Sequence, residues 1–106
     1  ISQRVKRLLE EHLDDPEMDA EKTAQLLNMS RQTLYRKLKN DGSSYSGLVE
    51  KVKKTRALEL LDNPKVSLSV IAYELGFSEL SAFTRAFKRW TGQTPAEYRK
   101  QPSSYS

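Results

Sequence analysis

The chain has 106 residues, enough for one domain or for two very small lobes that share a core. Its 18 Lys and Arg against 14 Asp and Glu give a formal net charge of +4, which favours a polyanionic partner without identifying one. The absence of cysteine excludes disulfides, thiolate metal sites and cysteine nucleophiles, and the single histidine, His12, has no second histidine with which to bind a metal. No apolar run approaches the ~20 residues of a membrane span, so we expect no membrane partner, and we expect no cofactor or metal.

Apolar residues recur every three to four positions, and glycine and proline fall at the joints between these stretches, which predicts an all-α chain. The first helix covers about residues 2–13. The second begins after the N-cap Asp19, and the third begins after Ser30 and ends by Asp41-Gly42. The small residues 42–44 predict a flexible joint.

The second half of the chain repeats this organisation. A longer helix over about residues 45–61 leads into it. Ser67 is the expected N-cap of the fifth helix and Ser78 that of the sixth. A last short helix covers residues 95–100, and the polar tail 101–106 is expected to be disordered.

Two segments of the sequence match each other. Residues 24–39 read AQLLNMSRQTLYRKLK, and residues 72–88 read AYELGFSELSAFTRAFK, with one extra residue, Ser78, in the second turn. Each is a short apolar helix, a turn and a helix with a basic outer face, which is the layout of a helix-turn-helix whose second helix enters a DNA major groove. Two copies predict that one chain reads two grooves. The expected parts are a first helix-turn-helix lobe (1–43), a connecting helix (44–62) and a second lobe (63–100).

Helical phase places polar and basic side chains on one face of the third and sixth helices and apolar side chains on the opposite face. Arginine can donate paired hydrogen bonds to guanine, glutamine can do the same for adenine, and threonine can pack its methyl group on that of thymine. A solvated surface helix shows the same pattern, but its occurrence in both copies favours base reading. The candidate base-reading residues are Gln32, Tyr35, Arg36, Leu80, Ser81, Thr84 and Arg85.

Leu80 differs from the rest of this set. It lies in the first turn of the sixth helix, where recognition helices often touch bases, but its helical phase turns it towards the edge of the core, so both orientations stay open. Phosphate contacts position a protein on DNA without carrying sequence information. The candidate phosphate-binding residues are Ser30, Arg31, Lys37, Lys39, Lys88 and Arg89. Four basic residues of the connecting helix fit a backbone contact or a solvated face equally well: Lys51, Lys53, Lys54 and Arg56.

The string IAYELGFSELSAFTRAFKRWTGQTPAEYRK, residues 71–100, resembles the second helix-turn-helix of AraC/XylS-type bacterial transcription regulators. A less specific match to that family's first unit extends the resemblance over about residues 2–100. It implies a seven-helix, all-α domain in which two helix-turn-helix lobes are joined by a long central helix. It also implies binding to double-stranded promoter DNA, activation of transcription and contact with RNA polymerase. The family's base-contacting positions fall on the candidate base-reading residues, Leu80 included.

Two features depart from the pattern of that family. Residues 42–45, Gly-Ser-Ser-Tyr, replace the commoner Thr-Gly pair followed by an apolar residue. Most members also carry an effector-binding or dimerisation domain, and because this chain begins with Ile1 we expect that domain upstream. The resemblance further implies a location in the bacterial cytoplasm, at the nucleoid when the protein is bound to DNA.

Other functions fit the sequence less well. A helical protein-interaction module without nucleic-acid binding would need an exposed apolar groove, whereas a core accounts for the apolar residues. An RNA-binding module would need exposed aromatic platforms for unstacked bases, and Tyr35 alone fits that description. An enzyme is disfavoured, because the sequence offers no paired carboxylates, metal-ligand cluster or phosphate-binding loop.

Overall fold

The computed structural model describes residues 1–100, and within this range it contains seven helices. The helices are α1 (Ser2–Glu11), α2 (Ala20–Leu26), α3 (Arg31–Asn40), α4 (Tyr45–Leu61), α5 (Leu68–Glu74), α6 (Leu80–Thr91) and α7 (Pro95–Lys100). The all-α fold class predicted from the sequence is confirmed. The disorder predicted for residues 101–106 lies outside the described residues.

Two hydrophobic clusters lie along the connecting helix α4, and the molecule measures 45 × 26 × 19 Å. The N-terminal half of α4 contributes Val52 to the first cluster, and the C-terminal half contributes Ala57 and Leu61 to the second. Leu13, in the loop between α1 and α2, packs against both clusters. The first cluster also contains Val5, Leu9, Ala20, Ala24, Leu34 and Leu38, and the second Ile71, Ala72, Leu75, Phe83 and Phe87.

Side-chain caps define where several helices begin. Asp19 accepts a hydrogen bond from the backbone N–H of residue 22 at 2.8 Å, and Ser30 and Ser67 each accept one from the third residue that follows, at 3.1 Å. These three predicted N-caps are confirmed. The prediction for Ser78 is wrong, because the N-cap of α6 is Glu79, which makes no side-chain capping bond. The longer second turn delays the first helical residue to Leu80, so Ser78 lies one position too early to cap the helix.

The segment predicted as a flexible joint is tied to the helices on both sides. The backbone N–H of Ser43 donates to the carbonyl of Leu38 at 2.8 Å, and the Ser44 side chain caps α4 by accepting from the N–H of Gly47 at 3.1 Å. Ser43 also shares a 2.9 Å hydroxyl contact with Ser2 of α1. The connection between α3 and α4 therefore has a defined geometry.

The two helix-turn-helix copies share the same turn at the level of backbone hydrogen bonds. The N–H of Met29 donates to the carbonyl of Ala24 at 2.9 Å, and the N–H of Phe77 donates to that of Ala72 at 3.0 Å. A hydrogen bond that closes a six-residue turn in this way is typical of a Schellman C-cap, in which the residue before the N–H donor adopts the left-handed conformation. The equivalent residues Asn28 and Gly76 supply it, with φ of +59° and +85°. The internal repeat in the sequence is thus a repeat in backbone structure.

Candidate nucleic-acid interface

Helix α3 is held by one face and exposes the other. Leu34 and Leu38 are fully buried in the first cluster. On the opposite face Gln32 and Arg36 are exposed, and Tyr35 is 47% exposed. Because Ser30 caps the helix, these side chains start within its first two turns, the part of a recognition helix that approaches base edges.

Helix α6 repeats this arrangement with larger apolar anchors. Phe83 and Phe87 are fully buried, and their rings pack edge to face with centroids 5.8 Å apart. Ser81 and Arg85 are exposed on the other side, whereas Thr84 is half-buried. The structure therefore places the polar candidates of both helices on outward faces, and Thr84 least so.

Leu80 lies at the N-terminal end of α6, with 37% of its surface exposed. It does not belong to the buried residues of the second hydrophobic cluster. The sequence left open whether this side chain faces the core or a ligand. The structure leaves it accessible, beside the exposed Ser81.

The candidate phosphate-binding residues are all exposed: Ser30, Arg31, Lys37, Lys39, Lys88 and Arg89. The hydroxyl of Ser30 is already engaged, since its oxygen accepts from the N–H of Thr33 at 3.1 Å and its O–H donates to the Thr33 hydroxyl oxygen at 3.0 Å. The cations of this set lie at the ends and flanks of α3 and α6. Helical phase places Lys39 and Lys88 on the outward faces themselves, whereas Arg31, Lys37 and Arg89 flank those faces.

The arginines on the outward faces do not brace the fold through carboxylates. Within residues 1–100, the ion pairs made by lysine or arginine side chains join Lys22 to Asp15 and Arg56 to Glu59. Arg36 and Arg85 take part in neither. Their guanidinium groups are therefore available to an external acceptor.

One basic residue of α4 contacts an aromatic ring. Lys53 is half-buried, and its Nζ lies 4.7 Å from the centre of the Phe77 ring, whereas Arg56 is exposed and paired with Glu59. Burial lowers the pKa of Lys53 below its ordinary value. The sequence left Lys53 open between a backbone contact and a solvated face, and its spacing of four from the apolar Val49 was the signal that indicated burial.

A groove between α4 and α6 is the feature that the sequence did not indicate. Lys53 and Phe77 line it together with Arg89 and Trp90 from the end of α6. Two cations from separate elements therefore share one surface. Their proximity depends on how the second helix-turn-helix packs against α4, which no local pattern describes.

In the part of the chain that the structure describes, the other groups with shifted pKa values belong to segments other than the helices α3 and α6. A hydrogen bond from Lys22 holds the pKa of Asp15 below its ordinary value, and the backbone N–H of Thr94 does the same for Glu97. Burial raises the pKa of Tyr45. Within residues 1–100, no three acidic or histidine side chains form a possible metal site, and no helix has the length and apolarity needed to cross a membrane. The outward faces offer hydrogen bonding and positive charge.

Comparison with known proteins agrees with this geometry. A helix-turn-helix domain family model matches residues 23–101. The HTH-type transcriptional regulator VqsM of Pseudomonas aeruginosa is 42% identical over 77 residues, which are 73% of this chain and 24% of VqsM. The chain spans less than a third of the length of VqsM and of other regulators that it matches.

Solved structures show the same fold. The DNA-binding domain of AdpA, a global transcriptional factor crystallised in complex with a target DNA, aligns over 92% of this chain and 88% of its own, with 30% identity and a TM-score of 0.79. A transcriptional regulator from Chromobacterium violaceum of the AraC-type DNA-binding class aligns over 95% of this chain and 93% of its own, with 26% identity and a TM-score of 0.78. With two matching helix-turn-helix copies and a family model that covers most of its residues, the chain belongs to the AraC-type helix-turn-helix family of DNA-binding domains found in transcription regulators.

Proposed function

We propose that this domain binds double-stranded promoter DNA sequence-specifically, with α3 and α6 in two successive major grooves, as part of a bacterial regulator that activates transcription. The observation that carries the proposal is the repeated geometry: both helices follow the same capped turn, and both expose a polar face opposite a buried apolar one. Two such units along one helix suit the repeating grooves of a single duplex. The match to a DNA-bound domain over 92% of the chain supports it.

Within this proposal, direct base reading is assigned to the outward faces. Arg36 and Arg85 donate forked hydrogen bonds to guanine, and Gln32 pairs with adenine in the same bidentate manner. The half-buried Thr84 and the accessible Leu80 offer apolar contact to thymine methyl groups. Tyr35 and Ser81 complete the set with single hydroxyl contacts.

The cations at the candidate phosphate-binding positions supply affinity that does not depend on sequence, because each neutralised phosphate releases condensed counterions. This role is assigned to Arg31, Lys37, Lys39, Lys88 and Arg89. Ser30 joins them at the N-terminus of α3, where backbone N–H groups also favour an anion. Phosphate contacts on both units would set the register in which the base-reading side chains meet the grooves.

The proposed organisation is a first reading lobe at 1–43, the connecting helix at 44–62 and a second reading lobe at 63–100. In the whole protein we assign the effector-binding or dimerisation function to a domain upstream of this chain. RNA polymerase is the second proposed partner, and the cytoplasm, at the nucleoid when DNA is bound, is the proposed location. We assign no catalytic activity to this domain.

Selection from a random duplex library, followed by gel-shift titration, tests the proposal. The selected duplex should bind more tightly than a scrambled duplex of equal length and than single-stranded RNA of the same sequence. Equal binding to the RNA would support an RNA-binding module instead. Failure to retain any nucleic acid would support a protein-interaction module.

A further inference from the structure

The two helix-turn-helix turns have the same backbone geometry but different residues at the left-handed position. Asn28 holds this position in the first copy and Gly76 in the second. Asparagine is one of the few residues with a side chain that visit the left-handed region, as Asn28 does at φ +59°. At the φ of +85° of Gly76 a side chain adds strain, so the turn itself favours glycine, and a further reason lies outside the turn.

The reason lies in a close approach between the two halves of the molecule. A Cβ atom added to Gly76 would lie 2.9 Å from the carbonyl oxygen of Leu13 and 3.4 Å from that of Asp15. Both carbonyls belong to the loop between α1 and α2. A carbon atom cannot approach a backbone oxygen to 2.9 Å without displacing it, because a backbone carbonyl has no rotamer by which to move aside.

That loop is itself firmly held. The Asp15 carboxylate accepts hydrogen bonds from Lys22 of α2 at 2.6 Å and from the N–H of Glu17 at 2.9 Å. The Leu13 side chain packs against both hydrophobic clusters. On the other side of the contact, the ring of Phe77, the residue after Gly76, lies under the ammonium group of Lys53. Two constrained segments thus meet at Gly76.

We propose that Gly76 is a positioning residue. Because it has no Cβ atom, the turn of the second helix-turn-helix packs directly against the α1–α2 loop. This contact sets the spacing and angle between α3 and α6. This inference rests on the proposed two-groove function. A helix of 17 residues joins the two units, and the contact between Gly76 and the α1–α2 loop resists rotation of α6 about the axis of α4. A fixed spacing raises the effective concentration of the second unit at its groove once the first has bound.

The repeat supplies a matched pair of variants. Gly76→Asn introduces the residue that the first copy uses at this position, which tolerates positive φ better than other residues with a side chain, while its Cβ enters the contact with Leu13. Asn28→Gly makes the reciprocal change at a turn in the first copy and is the control. Lys22→Met, which releases the loop from α2 without adding an atom at the contact, is a milder second variant should Gly76→Asn fail to fold.

The first measurement is independent of DNA. Since the chain has no cysteine, spin labels can be attached at Lys39→Cys and Lys88→Cys, matched positions of the two repeats. Gly76→Asn should displace or broaden the distance distribution between the labels, Lys22→Met should broaden it less, and Asn28→Gly should leave it unchanged. Circular dichroism shows whether each variant retains its helices.

The second measurement titrates duplexes that carry both half-sites at the native spacing, at spacings changed by one base pair, or one half-site alone. Gly76→Asn should weaken binding at the native spacing by about tenfold or more and shift or flatten the spacing preference, with single half-site binding within about twofold of the parent chain. If Gly76→Asn and Lys22→Met match the parent chain in label distances and spacing preference, Gly76 is not a positioning residue. If the parent chain itself is indifferent to a five-base-pair insertion, the two-groove function fails instead.

Discussion

The Arg99 guanidinium of α7 donates a 2.7 Å hydrogen bond from Nη1 to the carbonyl oxygen of Val66 in the loop after α4. The same group donates to the carbonyls of Leu61 at 3.2 Å and Asn63 at 3.1 Å. The last carbonyls of a helix have no partner within it. The Arg99 side chain of the last helix thereby caps the C-terminal end of the connecting helix.

Arg99→Lys should destabilise the protein although it keeps the charge. An ammonium group is a compact donor that cannot span the carbonyls that the planar guanidinium reaches, so we expect a loss of about 1.5–3 kcal/mol in the free energy of unfolding. Urea denaturation measures this loss. Arg7→Lys, on an exposed part of α1, is the control and should change the free energy by less than about 0.5 kcal/mol. Equal effects of the two substitutions would show that the carbonyl contacts do not stabilise the fold.

Arg36→Ala and Arg85→Ala should reduce specificity as well as affinity. If each arginine reads a guanine, its removal costs about 1–3 kcal/mol on the cognate duplex and relaxes the preference at one or two base pairs. Titration of each variant against cognate and scrambled duplexes separates the two effects, with Arg4→Ala on the exposed surface of α1 as the control. Equal losses on both duplexes would remove these arginines from the base-reading set.

Lys37→Ala should weaken binding to cognate and scrambled DNA alike. Loss of one phosphate contact should make the slope of log affinity against log salt shallower by about one. Binding measured at several salt concentrations gives the slope. Lys65→Ala, in the exposed loop between α4 and α5, removes the same charge away from α3 and α6 and should leave the slope unchanged. A change of base preference in Lys37→Ala would instead place this side chain in a groove.

Insertion of five base pairs between the two half-sites should abolish simultaneous binding of both units. Five base pairs are about half a helical turn, so the second groove moves to the opposite side of the duplex. The connecting helix of 17 residues spans about 25 Å and cannot follow that rotation. Gel-shift titration should show binding reduced to the level of a single half-site. Unchanged affinity would mean that one unit alone contacts DNA.

The ion pair between Asp15 and Lys22 predicts a pH dependence of stability. The pKa of Asp15 is lowered in the folded state, so its stabilising effect is present above the ordinary value of 3.8 and is lost as the pH falls through the lowered pKa. The difference in unfolding free energy between the parent chain and Asp15→Asn should therefore be largest near neutral pH and shrink below about pH 4. Urea denaturation across this range measures it, with Asp14→Asn as the control. A difference independent of pH would rule out the ionic contribution.

The parts of the fold that could be predicted from the sequence are those determined locally. The apolar period identified the helices, and the caps at Asp19, Ser30 and Ser67 depend only on the next three residues. Helix α4 differs from a helix with one buried stripe, because it packs Val52 into the first cluster and Ala57 and Leu61 into the second. Ser78 was assigned wrongly because the start of α6 is set by how far the second turn extends. Contacts between distant segments left no local signal.

The candidate site shows the same difference between properties determined locally and properties determined by distant contacts. The outward orientation of Arg36 and Arg85 follows from helical phase, and the structure agrees with it. The burial of Lys53 depends on the ring of Phe77, which is 24 positions later in the chain. The accessibility of Leu80 likewise depends on how the end of α6 sits beside its core. The spacing of neighbouring residues indicates burial of Lys53 beside Val49 but not its aromatic partner, and it leaves the accessibility of Leu80 open.

The shared helix α4 limits how this domain can be divided by protein engineering. A graft of residues 1–43 onto another scaffold would omit Val52, which is 4% exposed and completes the first cluster, and would leave an apolar gap among Val5, Leu34 and Leu38. A graft that begins after α4 would likewise lack Ala57 and Leu61. Neither helix-turn-helix unit has a complete hydrophobic core without its half of α4. A chimaera that exchanges one unit for that of a relative must carry the matching half of α4 with it, and its crossover point belongs between Val52 and Ala57.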